Sequence, residues 1–284
     1  MGKLAATVTV NYCVFFILCV AAKVLFMALK DSLEQVEITL RQCQTVAEFD
    51  ACVVLQKEAF GLPDREISPR RHLVVTHHSG GWVLGAFAGA RLVGFVLHLL
   101  ALKDGEKAGY SHMMAVAKDM QNHGIGAKLK WAQRARALSE GVRYIKWTWD
   151  PMQARNAHFN LNRLGAVVRS YAENFYGTDY LPQAEYGANP LGLDSDRLFA
   201  EWELDSPQVA ALSTHYANAL SNNPAAEIAI PSNWLALVAQ DPARARAEQL
   251  RVRNEFQQAF AQNLVCAGFQ RDAARPRYLL YPSS

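Results

Sequence analysis

The sequence lacks the features that mark nucleic-acid-binding, disordered and zinc-binding proteins. Its 284 residues carry 29 basic and 26 acidic side chains, a net charge of +3, which argues against a nucleic-acid partner and an acidic disordered tail. Its five cysteines form no Cys-x-x-Cys pair and have no histidine at a zinc-binding spacing, so we expect no metal. We expect the thiols to be free, in a reducing compartment. With 51% hydrophobic residues, the chain can bury a core.

Acidic side chains are absent from residues 1–30, where Lys3, Lys23 and Lys30 account for the whole net charge. Residues 4–22 are uncharged, and as a helix they would measure about 28 Å, close to the ~30 Å hydrocarbon core of a bilayer. Three interpretations stay open: a membrane anchor, a secretory signal peptide, or an over-extended reading frame with Met27 as the true start. If residues 4–22 span a membrane, the flanking lysines favour a body that faces the cytoplasm, and without that tether we expect a cytoplasmic protein.

The remaining chain alternates between strand-like and helix-like patterns. Over 36–171 these predict the order β-α-β-β-β-α-β-α-β, a mixed α/β fold with hairpins before the crossovers, and a polar loop over 63–71. The C-terminal third predicts further strands and helices. We therefore expect an α/β domain at 36–180 and an additional C-terminal α/β lobe at 190–284, which closes an acceptor pocket or forms a homodimer surface.

Two common phosphate-binding motifs are missing, the three-glycine dinucleotide fingerprint and the P-loop. The segment Gln121–Gly126 (QNHGIG) instead lies between a predicted strand and a predicted helix. Glycines there let backbone amides converge, and the helix N-terminus adds partial positive charge, so the segment suits a pyrophosphate. A plain turn is the alternative.

In this context the Gln-x-x-Gly-x-Gly pattern resembles motif A of the GNAT superfamily of N-acetyltransferases. The strand before it and the later Asn156 to Leu164-Gly165-Ala166 segment are similar to the same family. The string TWDPMQARNAHFNLNRLGAVV resembles a two-part subgroup of largely undefined substrate. The resemblance implies a GNAT-like fold and acetyl-CoA as cosubstrate. It implies that acetyl-CoA is held by Met114, Ala115, Val116, Gln121, Asn122, His123, Gly124, Ile125, Gly126 and Asn156.

The implied activity is transfer of an acetyl group to a small-molecule or peptide amine by direct attack in a ternary complex. Many family members use a tyrosine as general acid where this chain has Leu161, so a non-catalytic CoA-binding module is the alternative. The catalytic candidates are His112 and Asp150 as base, with Tyr171 and Tyr176 as substitute acids. Each of them also has a structural interpretation. Two interpretations stay open for the helix residues Lys128, Lys130 and Arg134, a place near the phosphates of the cofactor or a solvated helix face.

Overall fold

The computed structural model describes residues 37–62, 64–178, 193–214 and 223–283. The apolar segment 4–22 and the expected domain limits at 180 and 190 lie outside the described residues. Within those ranges, no helix combines the length and the apolar character needed to cross a bilayer.

The described chain forms ten strands and seven α-helices. The strands are β1 (Ile38–Gln42), β2 (Trp82–Ala88), β3 (Arg91–Lys103), β4 (Glu106–Val116), β5 (Tyr144–Trp149), β6 (Tyr171–Ala172), β7 (Arg197–Glu203), β8 (Ala226–Ala229), β9 (Leu264–Gln270) and β10 (Arg277–Pro282). The helices are α1 (Val46–Phe60), α2 (Arg70–His78), α3 (Ile125–Ser139), α4 (Ala154–His158), α5 (Pro207–Ser213), α6 (Trp234–Gln240) and α7 (Pro242–Ala261). Helix α1 begins at the capping box formed by Thr45 and Glu48.

Seven strands form one sheet in the order β1-β2-β3-β4-β5-β7-β6. Its neighbours are antiparallel except for β4 and β5, which pair in parallel only through Gly109 with Ile145 and Tyr110 with Lys146. Beyond these pairs the two strands stop forming a ladder, so a cleft opens between them. Strand β4 also carries a bulge, because Met113 opposes Leu97 while Ser111 opposes His98. His112 is the extra residue of this bulge.

The C-terminal part adds a second sheet, ordered β8-β10-β9, which confirms the predicted mixed α/β class with additional C-terminal elements. The two sheets share one hydrophobic core, in which Trp147 and Trp202 of the large sheet join Phe256 and Tyr278. Strand β7 lies beside β5 in the large sheet, although the expected boundary at 190 groups it with the lobe. The lobe therefore packs as a continuation of the first domain.

A buried ion-pair network ties α7 to the segment before β7. Arg253 donates to both carboxylate oxygens of Asp196, from Nε at 2.9 Å and from Nη2 at 2.8 Å. The Asp196 side chain has no exposed surface. Arg253 and Arg246 also pair with Asp194. Burial raises the pKa of Asp194, but hydrogen bonds from these two guanidinium groups hold it below its usual range.

His98 is buried on β3, and we expect it to make the stability of the protein sensitive to mild acid. Its ring stacks on Trp82 with centroids 4.1 Å apart, and burial lowers its pKa to about 4 from the ordinary 6.5. Between these two values the unfolded chain binds the proton and the folded chain does not, so the free energy of unfolding falls as the pH drops from 6.5 to 4. We expect His98→Gln to reduce that slope by up to about 1.4 kcal/mol per pH unit. Urea titrations across this range test it, and parallel curves for the two proteins would contradict it.

Candidate active site

The turn between β4 and α3 is exposed to solvent at Asn122, His123 and Gly124. Asn122 and Gly124 both have left-handed backbones, with φ of 68° and 75°, and Gly124 caps the N-terminus of α3. Glycine adopts this conformation without strain. The first turn of α3 contains no acidic residue. The partial positive charge of the helix end is therefore left available for an anion.

The side chain of Gln121 joins this turn to α4. Its Nε2 donates to the carbonyl of Val116 at 3.3 Å, and its Oε1 accepts from Nη1 of Arg155 at 3.2 Å. His123 Nδ1 lies 2.9 Å from the carbonyl oxygen of Gln121. Two segments far apart in sequence, the glycine turn and the start of α4 with Asn156, are thus held together at one end of the cleft.

A cavity of about 590 Å³ occupies the cleft between β4 and β5. Five of the predicted catalytic and cofactor-binding residues line it, namely His112, Met114, Asp150, Asn156 and Tyr176. Ala115 and Ile125 are buried in the core with 2% exposure each, and neither of them lines the cavity. Val116 ends β4, and the remaining residues of the glycine turn lie beyond the cavity lining.

Residues 46–165, which include the strands that form the cleft, match the sequence model of the acetyltransferase (GNAT) family. The chain carries a GNAT domain. Among solved structures it resembles a GNAT-family protein from Desulfovibrio desulfuricans, at 14% identity and a TM-score of 0.48, over 59% of this chain and 99% of that one. It also resembles the ribosomal-protein-S18-alanine N-acetyltransferase from Escherichia coli, at 13% identity and a TM-score of 0.47, over 60% and 96%. A third similar structure is a GNAT family acetyltransferase from Elizabethkingia anophelis with acetyl-CoA bound, at 17% identity and a TM-score of 0.41, over 58% of this chain and 97% of that one. The search of curated proteins found no match.

His112 of the GNAT domain reaches the surface of the chain through a serine and a second histidine. Its Nε2 lies 3.5 Å from Oγ of Ser68, and Nδ1 of His72 lies 3.2 Å from the same Oγ. Gln56 holds Ser68 in place by bonding both its backbone N–H and its carbonyl, at 3.0 and 3.2 Å. Burial, followed by the nearby His72, lowers the pKa of His112. The imidazole is therefore suited to act as a neutral proton acceptor.

Tyr176 lies on the β5 side of the GNAT cleft. Its hydroxyl is 3.4 Å from Oγ1 of Thr148 on β5, and the guanidinium of Arg197 lies 5.2 Å from its ring centroid. The neighbouring Tyr110 has its pKa raised to about 12 by burial and by Tyr176. Leu161, at the position where many GNAT proteins have a tyrosine, is 1% exposed and packs into the core. Among the tyrosines proposed as acids, Tyr176 is the one in the cavity lining.

The structure places Tyr171 away from the cavity. Its hydroxyl donates to Asp196 at 2.6 Å, and burial together with the Asp196 carboxylate raises its pKa above the ordinary range. Asp150 does line the cavity, and its Oδ1 also accepts from the backbone N–H of Met152 at 2.8 Å. Asp150 therefore starts the turn after β5 while facing the cleft.

Ser68 and His72 belong to the site region but were not predicted from the sequence as site residues. Ser68 falls in the segment predicted as a polar loop, and His72 lies on α2, which starts inside that segment. Lys130, predicted to lie near the phosphates or on an exposed helix face, is instead 2% exposed and lines the cavity.

Proposed function

We propose that the chain transfers an acetyl group from acetyl-CoA to an amine acceptor, a small molecule or a peptide, by direct attack in a ternary complex. The observation that supports this best is the cleft at the parting of β4 and β5, with the open glycine turn at one end. In that arrangement the backbone amides of Gln121–Gly126 bind the pyrophosphate, and the backbone of Met114–Val116 pairs with the pantetheine arm. Asn156 contacts the same arm from α4.

The chemistry needs a neutral amine, a stabilised carbonyl oxygen and a proton for the leaving thiolate. In our proposal His112 takes the proton from the attacking amine, and Ser68 and His72 link it to the surface. A backbone N–H near Met114 stabilises the oxygen as charge develops on it. Tyr176 protonates the thiolate. Asp150 is the alternative base, since its carboxylate faces the same cavity.

His112→Gln and Tyr176→Phe should each slow acetyl transfer by about 100-fold, the usual contribution of a general acid or base. Because the pKa of His112 is lowered, the wild-type base stays neutral below the ordinary 6.5, so the acid limb of kcat/KM should fall below that value. Release of CoA thiol, measured with amino acids, polyamines, aminoglycosides and peptides, tests both variants. His78→Gln, at an exposed position on α2, is the matched control. Full activity of His112→Gln would exclude His112 as base.

The leucine at position 161, where many GNAT proteins have a tyrosine acid, favours one alternative function, a CoA-binding regulatory module without turnover. Such a protein would bind acetyl-CoA but release no thiol with any acceptor in the panel, whereas an acetyltransferase would release it with at least one.

Two further expectations from the sequence remain proposals. If residues 4–22 tether the protein, the full-length chain should sediment with membranes while a chain starting at Met27 does not. If the C-terminal lobe forms a homodimer surface, light scattering should give twice the 31.6 kDa mass of the chain.

A further inference from the structure

Lys130 is a buried amine that pairs with no acidic side chain of the part of the chain that the structure describes. It lies on α3, 2% exposed. Its Nζ donates to Oγ of Ser111 at 2.9 Å and to Oε1 of Gln133 at 3.0 Å, and lies 3.7 Å from the ring centroid of Trp147. None of the ion pairs formed by the described residues includes Lys130. Burial lowers its pKa well below the ordinary 10.5, so far more of it is in the neutral, nucleophilic form than for an exposed lysine.

The Lys130 amine also lies at the apex of the cleft, the point where β4 and β5 stop pairing. Tyr110 and Lys146 are the last residues through which β4 and β5 pair. Lys130 contacts the next residue on each strand, Ser111 on β4 and Trp147 on β5. Ser111, Lys130 and Trp147 all line the cavity. An acyl group that enters the cleft with its thioester between the strands therefore approaches this amine.

We propose that Lys130 is a self-acylation site, which accepts the acetyl group of bound acetyl-CoA when no external amine occupies the cleft. The lone pair of the neutral Nζ forms a bond to the thioester carbonyl carbon, and the carbon–sulfur bond breaks. One proton from the nitrogen passes to the departing thiolate, which leaves as free CoA thiol. The product is an uncharged amide at the apex of the cleft. This inference rests on the proposed function.

The chain supplies its own reference lysine, because Lys128 lies two residues earlier on α3 and is exposed. Full-length protein incubated with acetyl-CoA and no acceptor should carry one acetyl group on Lys130, at least about tenfold above Lys128, as read by peptide mass spectrometry. Acetyl-CoA bound at the apex favours Lys130 through proximity, whereas chemical acetylation from solution favours exposed lysines. Lys130→Met should lose this acetyl group and keep the background at Lys128.

Gly126→Glu separates enzyme-directed labelling from chemical background, since it removes the proposed pyrophosphate site and leaves Lys130 in place. Equal labelling of Lys130 in this variant and in wild type would overturn self-acylation. So would an unmodified Lys130 in wild-type protein that binds acetyl-CoA by calorimetry. Thiol release by that same protein with an external amine would show that the proposed acetyltransferase function stands without self-acylation. Wild-type protein that fails to bind acetyl-CoA would overturn both proposals.

Discussion

Gly126→Glu should weaken acetyl-CoA binding by at least about 100-fold, or roughly 2.7 kcal/mol. Gly126 lies in the first turn of α3, where we propose that the pyrophosphate binds. A Cβ atom at this position meets only the end of the Met114 side chain, at 3.4 Å, so the fold accommodates a side chain. The added carboxylate would then repel the pyrophosphate and compete with it for the amides and the helix end.

Gly126→Ala is the matched control, because it adds the Cβ atom without the charge. It should keep affinity within a few-fold of wild type, and both variants should unfold at wild-type urea concentrations. Gly124→Glu should also abolish binding, but Gly124 has a φ of 75°, so any side chain there adds backbone strain as well. Calorimetry measures the affinities, and unchanged binding by Gly126→Glu would refute the assignment of the glycine turn.

Arg253→Met should lower the free energy of unfolding by about 3–5 kcal/mol, the usual cost of removing one partner from a buried ion pair. Arg253 is 11% exposed, and the Asp196 side chain that it pairs with has no exposed surface. Without the guanidinium, the Asp196 carboxylate would keep the donors Tyr171 and Asn174 but lose its only paired cation among the described ion pairs. Urea denaturation measures the loss.

Arg244→Met is the control for this change, since Arg244 lies on the same helix and is exposed. Substitution at such a surface position should alter stability by about 0.5 kcal/mol or less. A similar small effect for Arg253→Met would show that the network does not hold α7 to the large sheet.

The local features of the fold were predictable because they rest on periodicity and turn chemistry. The hairpin of β2 and β3 around Gly89, the cap of α1 and the strand–glycine–helix order at Gln121–Gly126 all follow from neighbouring residues. Helix α2 was not predicted, because it is short and begins directly after Pro69 in a polar stretch. The place of β7 between β5 and β6 was not predicted either, since sequence order does not encode which distant strands pair.

The residues of the candidate site were likewise only partly predictable from the sequence. His112 and Asp150 were predicted from their places on the strands beside the glycine turn, and Asn156 from the resemblance to the GNAT family; all three line the cavity. Ser68 precedes α2 and His72 lies on that helix, and no local sequence pattern marks either of them as a site residue. Lys130 does have such a pattern, since it precedes Gln133 and Ala137 by three and seven residues, the spacing of one helix face, and all three are buried. A lysine on the buried face of a helix marks a candidate functional group.

The position of β7 bears on how the protein is made in the cell. Strand β5 has β7 as its second neighbour, and β7 lies outside the 46–165 segment that matches the family. Until the ribosome has produced β7, β5 remains an edge strand with open hydrogen-bonding groups, and Trp147 lacks its contact with Trp202. An unpaired apolar edge invites association with other chains. We therefore expect the nascent chain to pass through an aggregation-prone stage that ends once β7 has been synthesised, and a fragment trimmed to the family match to remain in that stage.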